Sequence, residues 1–194
     1  MMEIVYAGEK AKREPKFSVF LAGPTPREIS VKSWRPEFIE TLKTKGFKST
    51  VFAPENRIGS PYDFDKQINW EVKNLTAVNL IVFWIPRKLD TMPAFTTNIE
   101  FGEFMHSNKI VVGFPPNSVN NRYIKKRCEM NETPLFSTIK GVVSHICKEE
   151  LKVLNMCHKC FGSGQKESNG AFYKCSICKG KGYLNGKNNV IATF

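Results

Sequence analysis

Alternating strand and helix signals predict an α/β protein: a doubly wound parallel sheet, followed by a small zinc-binding module at the C-terminal end. Three observations carry that expectation. Within residues 79–85 (NLIVFWI), all six side chains after Asn79 are apolar, a run of strand length such as a strand covered on both faces requires. Other short apolar runs alternate with segments of helical periodicity, the pattern of parallel strands joined by right-handed crossovers. Cys157, Cys160, Cys175 and Cys178 form two C-x-x-C pairs with 14 residues between them.

The first 16 residues are charged and are expected to form a loose or edge-forming arm. Residues 17–21 (FSVFL) read as the first strand, and the segment from Ala22 through Gly23, Pro24, Thr25 and Pro26 to Arg27 as a stiff turn. Ser33 is placed to cap a helix over residues 34–45, with Phe38, Ile39 and Leu42 on one face and Gly46 as its stop. Residues 49–53 (STVFA) give a second strand, and 56–64 a loop. A helix over 65–78 is expected to turn Ile68, Leu75 and Val78 inward, with Trp70 and Glu71 nearby. The apolar run at 79–85 is the third strand.

Within residues 93–105 (PAFTTNIEFGEFM), Thr96, Thr97 and Asn98 are N-cap candidates for a helix whose apolar face is Phe101, Phe104 and Met105. That start puts Glu100 in the first turn. A fourth strand over 109–114, a short helix over 122–129 and a final helix over 137–154 complete the domain. The expected division is an α/β domain at 1–154 and a cysteine module at 155–194, with no internal repeat in the first.

No apolar run approaches the ~18 residues of a membrane span. Six cysteines without a signal-peptide-like start suggest a reducing compartment, so metal binding is favoured over disulfides and a cytoplasmic location is expected. The net charge of +11 is uneven: residues 151–194 hold seven Lys against one Glu. A basic tail suits phosphate-bearing partners, whether nucleotides or nucleic acid.

Four thiolates at this spacing close tetrahedrally around one Zn²⁺. Each pair continues alike, as CHKCFGSG and CSICKGKG, and Gly162, Gly164, Gly180 and Gly182 let the backbone turn beneath the metal. The expected ligands are Cys157, Cys160, Cys175 and Cys178, and the zinc is expected to be structural, because so short a segment cannot fold on an apolar core of its own. His158 is expected to be solvated rather than ligating. The repeated C-x-x-C-x-G-x-G resembles half of a DnaJ-type zinc-finger domain, over residues 157–182.

Glu100 stands fifteen residues beyond the third strand, in the helix that follows it, at the carboxyl edge where open α/β sheets hold ligands. Spacing alone leaves two readings open, a site carboxylate or a complement to the helix dipole. Residues 17–124 carry FLAGPTPR, SWRPEF, FAPE, QINWE, IVFWIPR, TTNIEFGEF, VVGFPP and RYI in that order. The series resembles the nucleoside 2-deoxyribosyltransferase-like family, in the branch that begins with a FLAGPTPR-type loop.

The resemblance implies a flavodoxin-like fold, cleavage of the N-glycosidic bond of a deoxynucleoside or its 5′-monophosphate, and a homo-oligomer. The family's nucleophilic glutamate falls on Glu100; a carboxylate attacking the anomeric carbon gives a glycosyl-enzyme that a second base or water resolves with retention. Ala22, Gly23, Pro24 and Thr25 match the substrate-lining first loop. Arg27 is the candidate for a 5′-phosphate, against the plainer reading of a solvated surface charge. Trp70 and Glu71 match a segment near the site: Glu71 as a partner of the base, Trp70 as a stacking ring or a core residue. Thr96, Thr97 and Asn98 are placed along the approach. Asp63 and Asp65 are candidates for the acid that protonates the leaving base. The studied transferases carry an aspartate six positions before the nucleophile, where this chain has Ala94. Two other classes compete with an enzyme: a nucleic-acid-associated protein using the basic zinc module, and a binder that sequesters a nucleotide.

Overall fold

The computed structural model describes residues 1–57, 63–157, 159–168 and 171–184. The chain divides into two compact units, Met1–Glu150 and Leu151–Phe194.

The first unit is a parallel sheet with helices on both faces. Its six strands are β1 (Glu3–Tyr6), β2 (Ser18–Ala22), β3 (Thr50–Ala53), β4 (Leu80–Trp84), β5 (Ile110–Gly113) and β6 (Leu135–Phe136). They pair in the order β1-β3-β2-β4-β5-β6, every pair parallel. All five residues of β2 and all five of β4 are buried, because both faces of these central strands are covered. The chain moves from β2 outward to β3, then returns to the other side of β2 with β4. The reversal places a crevice at the carboxyl ends of β2 and β4, the switch point of an open α/β sheet.

Five helices follow: α1 (Arg35–Thr44), α2 (Phe64–Ala77), α3 (Phe95–Phe104), α4 (Arg122–Met130) and α5 (Ile139–Asn155). Helix α1 starts at an Arg-Pro step and buries Phe38, Ile39 and Leu42. Helix α2 is capped by the Asp63 carboxylate, which accepts from the Lys66 amide at 3.0 Å. In α5 the buried Glu150 is matched by local donors: it accepts from the Lys48 amide at 2.8 Å and from the Ser49 hydroxyl at 2.6 Å.

The charged arm takes the edge-forming alternative, as the edge strand β1 paired in register with β3. Several other sequence expectations are corrected. Strand β6, two half-buried residues long, was too short to show a pattern. Trp34 occupies the N-cap position of α1, while Ser33 accepts from the Arg35 amide and donates to Glu55. Ala94 occupies the N-cap position of α3, with φ 63° and ψ 39°, in place of Thr96, Thr97 or Asn98. The helix therefore starts at Phe95, and Glu100 lies in its second turn rather than its first. There a dipole complement is weak, because that effect is confined to the first turn. Ile68 is exposed on α2 instead of turning into the core.

The second unit contains the antiparallel hairpin of β7 (Gln165–Ser168) and β8 (Ala171–Lys174), which no apolar alternation announced. The expected solvation of His158 and the end of the chain beyond Leu184 lie outside the described residues. No helix among the described residues is long and apolar enough to cross a membrane.

Candidate active site

At the switch point a cleft of about 430 Å³ opens between the loop after β2, Pro54 after β3, the first two turns of α2 and the start of α3. The loop after β2 is shaped by Gly23, whose φ of 148° lies in the region L side chains rarely adopt. A Cβ there would meet the carbonyl of Trp84 and stand 2.8 Å from the Trp34 ring. The loop is held from below by α1: Trp34 Nε1 donates to the Pro24 carbonyl at 3.0 Å. Arg35, 1 % exposed, donates to the carbonyls of Leu21 (3.1 Å) and Gly23 (2.7 Å) and to the Thr25 hydroxyl (3.1 Å). The same guanidinium pairs with Glu55 at 3.0 Å and lies over the Trp34 ring.

Two carboxyl groups line the cleft with it, Glu71 from α2 and Glu100 from α3. Burial raises Glu71 above the ordinary carboxylate range, against the pull of the Gln67 amide, which donates to its Oε1 at 2.8 Å, and of Arg35. Glu100 is pushed up to about 8, first by burial and then by the negative charge of Glu71, with Arg35 opposing. Like charges in a partly buried cleft resist ionising together, so ionisation of either carboxyl group opposes that of the other.

Of the residues singled out from sequence, Ala22, Gly23, Pro24, Thr25, Arg27, Glu71, Thr97 and Glu100 line this cleft. Arg27 sits over the ring of Phe95, and its amide donates to the Thr91 carbonyl at 3.0 Å. Trp70, Asn98, Asp63 and Asp65 are not among the lining residues. Trp70 packs against Phe20 and Phe52 in the core and donates from Nε1 to the Glu9 carbonyl at 2.7 Å. Asn98 accepts through Oδ1 from the Arg87 guanidinium. Asp63 is the cap of α2 and pairs with Lys66, and Asp65 is exposed in the first turn.

Arg35, Gln67, Phe64, Ile68 and Phe95 also line the cleft and were not singled out beforehand. Gln67 and Glu71 stand four apart on one helix face, a spacing the sequence displays. Arg35 stands in the sequence only within the segment SWRPEF, and its burial is not marked, since a guanidinium ahead of a helical proline is ordinarily solvated.

In the second unit the sulfurs of Cys157, Cys160, Cys175 and Cys178 all lie within 4.8 Å of one another and are buried. The Cys157–Cys175 and Cys160–Cys178 separations are 3.8 and 3.6 Å. A tetrahedral ion with metal–sulfur bonds of about 2.3 Å needs sulfurs about 3.8 Å apart, so the donor set fits. The two halves are related by a local two-fold: the Cys157 amide donates to the Gly182 carbonyl at 2.8 Å, and the Cys175 amide to the Gly164 carbonyl at 2.8 Å. The Gly182 amide also points at the Cys178 sulfur at 3.2 Å, the kind of donor that supports a bound thiolate.

An open parallel α/β sheet with paired carboxyl groups in its switch-point crevice holds its small-molecule site there. The sequence model described as nucleoside 2-deoxyribosyltransferase like matches residues 16–118, just over half of the chain. The protein belongs to the nucleoside 2-deoxyribosyltransferase-like family. Among solved structures, a conserved protein from Enterococcus faecalis V583 is similar with a TM-score of 0.48 and 12 % identity, over 69 % of this chain and 98 % of that one. No curated protein sequence matches the chain.

Proposed function

We propose that the protein cleaves or transfers the N-glycosidic bond of a deoxynucleoside or its 5′-monophosphate, with Glu100 as nucleophile. The observation that carries this reading is the pair Glu71 and Glu100 lining one cleft, both with raised proton affinity. Carboxyl groups so coupled can divide two roles, one ionised to attack and one protonated to assist departure.

In the free enzyme the proton would reside on Glu100, which burial and the charge of Glu71 both push toward its protonated form. A nucleobase that accepts a hydrogen bond from Glu71 draws the proton there and frees Glu100 as a carboxylate. Glu100 then bonds to the anomeric carbon as the bond to the base breaks, and Glu71 passes its proton to the leaving base. Water or a second base next displaces Glu100, so the sugar configuration is retained. Transferase and hydrolase differ only in what reaches this intermediate.

Gly23 and the loop around it would face the sugar, with Thr97 at its side. Arg27, at the cleft and backed by Phe95, would take a 5′-phosphate. Arg35 is satisfied by the loop it holds and is a positioning residue. Asp65, exposed on α2, would take part only with a shift of that helix start, so Glu71 is the preferred acid. The four cysteines would hold one structural Zn²⁺, with all positions filled by thiolate and no part in bond cleavage. The α/β domain is read as residues 1–154 and the metal module as 155–194, with subunits of a homo-oligomer in the reducing cytoplasm.

The test is incubation with paired deoxynucleosides and 5′-monophosphates, following free base and new nucleoside by chromatography, beside Glu100→Ala. Base release or exchange that vanishes in the variant is expected, and preference for the phosphorylated partner of each pair assigns Arg27. Wild type and folded variant equally inert across the panel would overturn the proposal.

A further inference from the structure

The second unit exposes rings and cations that neither the metal site nor the glycosidic cleft uses. Phe161 is 80 % exposed, Phe172 69 % and Tyr173 58 %, with Ile177 and Tyr183 exposed beside them in sequence. All eight residues of the β7–β8 hairpin are exposed on both faces. Apolar surface of this density in so small a unit marks an interaction site rather than scattered surface residues.

The local two-fold organises part of this surface. It relates Lys159 to Ile177 and Phe161 to Lys179, eighteen positions apart, so each metal knuckle presents one cation and one apolar side chain in exchanged positions. Phe161 and Lys179 share the same left-handed backbone, at φ 46° and 53°, which holds both outward at the turn below the metal. On the hairpin, Lys166 stands directly across from Tyr173 on one face, and Phe172 stands across from Glu167 on the other, the face that Lys174 shares. Lys159, Lys166, Lys174, Lys179 and Lys181 are all exposed, and Glu167 is the single carboxylate side chain of residues 151–194. Seven lysines less one glutamate give +6 for that segment, and four thiolates with one Zn²⁺ would leave +4.

From these features we infer that the metal module binds single-stranded nucleic acid, with Phe161, Phe172 and Tyr173 stacking on unpaired bases and the interleaved lysines meeting phosphates. Flat exposed rings find partners in unstacked bases and not in a duplex, whose bases are already stacked. The absence of arginine from residues 151–194 fits a sequence-tolerant binder, since bidentate reading of base edges is chiefly arginine chemistry. The cation surplus distinguishes this occupant from an unfolded polypeptide, which the rings alone would also suit.

The test uses the full chain with zinc bound and a fluorescein-labelled oligothymidylate of about 20 nucleotides, a length covering one or two small sites. Anisotropy is expected to show binding that weakens as salt rises, tighter than to a duplex of the same length. Phe161→Ala, Phe172→Ala and Tyr173→Ala should each lower affinity about tenfold with metal content unchanged. Lys159→Gln and Lys179→Gln should each reduce the salt slope by about 0.7. Glu100→Gln should bind as wild type does, separating this surface from the cleft. No binding at low salt, equal or tighter binding to duplex, or ring variants that bind like wild type would each overturn the inference. Capture of reduced, carboxymethylated lactalbumin in place of the oligonucleotide, lost in the same ring variants, would reassign the surface to unfolded chains.

Discussion

Arg35 and Glu55 form an ion pair of 3.0 Å at the floor of the cleft, with the arginine side chain 1 % exposed and the glutamate 20 %. Burial costs the guanidinium part of its proton affinity, and Glu55 returns part of it. The pair joins the carboxyl ends of β2 and β3 across the start of α1, so the loop that lines the cleft rests on an almost wholly buried charge.

Arg35→Met is expected to lose about 3–5 kcal/mol of stability, because Glu55 is left partly buried without its partner and three loop acceptors lose their donor. The double variant Arg35→Met/Glu55→Leu should recover part of that loss. Urea unfolding of the four chains of the cycle measures it, and strictly additive losses would show that the pair is not coupled.

Glu100 makes the folded α/β domain sensitive to base. Its proton affinity rises from 4.5 unfolded to about 8 folded, so between those values the native state holds the extra proton. The contribution is fully present below about pH 4.5, declines as pH rises, and is lost once pH passes about 8. Glu100→Gln keeps the neutral hydrogen-bonding group and should flatten this fall, gaining a few kcal/mol at pH 9 relative to wild type. Stability curves at pH 6 and pH 9 check it; a parallel fall in both chains would contradict the assignment.

Activity should run the other way. If Glu100 attacks as the carboxylate, kcat/KM rises with pH along a limb set by its ionisation in the free enzyme. Glu71→Gln removes the neighbouring charge that holds the proton on Glu100, so the limb should move to lower pH even as kcat falls for want of the acid. A limb that stays in place would separate the two residues. Glu100→Gln should lower turnover at least about a thousandfold, the scale for loss of a nucleophile.

Chelation of the metal should unfold the second unit, since its buried side chains are chiefly the four sulfurs. Gly164→Ala and Gly182→Ala should impair metal retention nearly as much as loss of a ligand. Both glycines have positive φ, and an added Cβ would run into the carbonyls of Gly180 and Gly162 respectively. Zinc content after gel filtration against a competing chelator measures this; wild-type retention in both would show that the loops can open.

Much of the first unit was legible in order along the chain. Residues 79–85 announce β4 because a strand buried on both faces needs every side chain apolar, and that is a local property. The cysteine spacing is equally local, as is the place of Glu100 on the helix that follows this strand. Strand β6 was not legible, because two half-buried residues carry no pattern and their pairing depends on partners far along the chain, and β1 was legible only as an arm able to form an edge.

The sequence by itself determined the alternation of strands and helices, the two C-x-x-C pairs and the presence of a carboxylate at the sheet's carboxyl edge. Each follows from neighbours within a few residues, through side-chain period or ligand spacing. Only the tertiary structure decided that Arg35 is buried under the first loop, that Trp70 belongs to the core and Ile68 to the cleft, and that Glu71 shares Glu100's surroundings. It also decided the reciprocal bonds from Cys157 to Gly182 and from Cys175 to Gly164. Burial and charge coupling depend on groups that are distant in sequence and meet only when the chain is folded, so no local pattern records them.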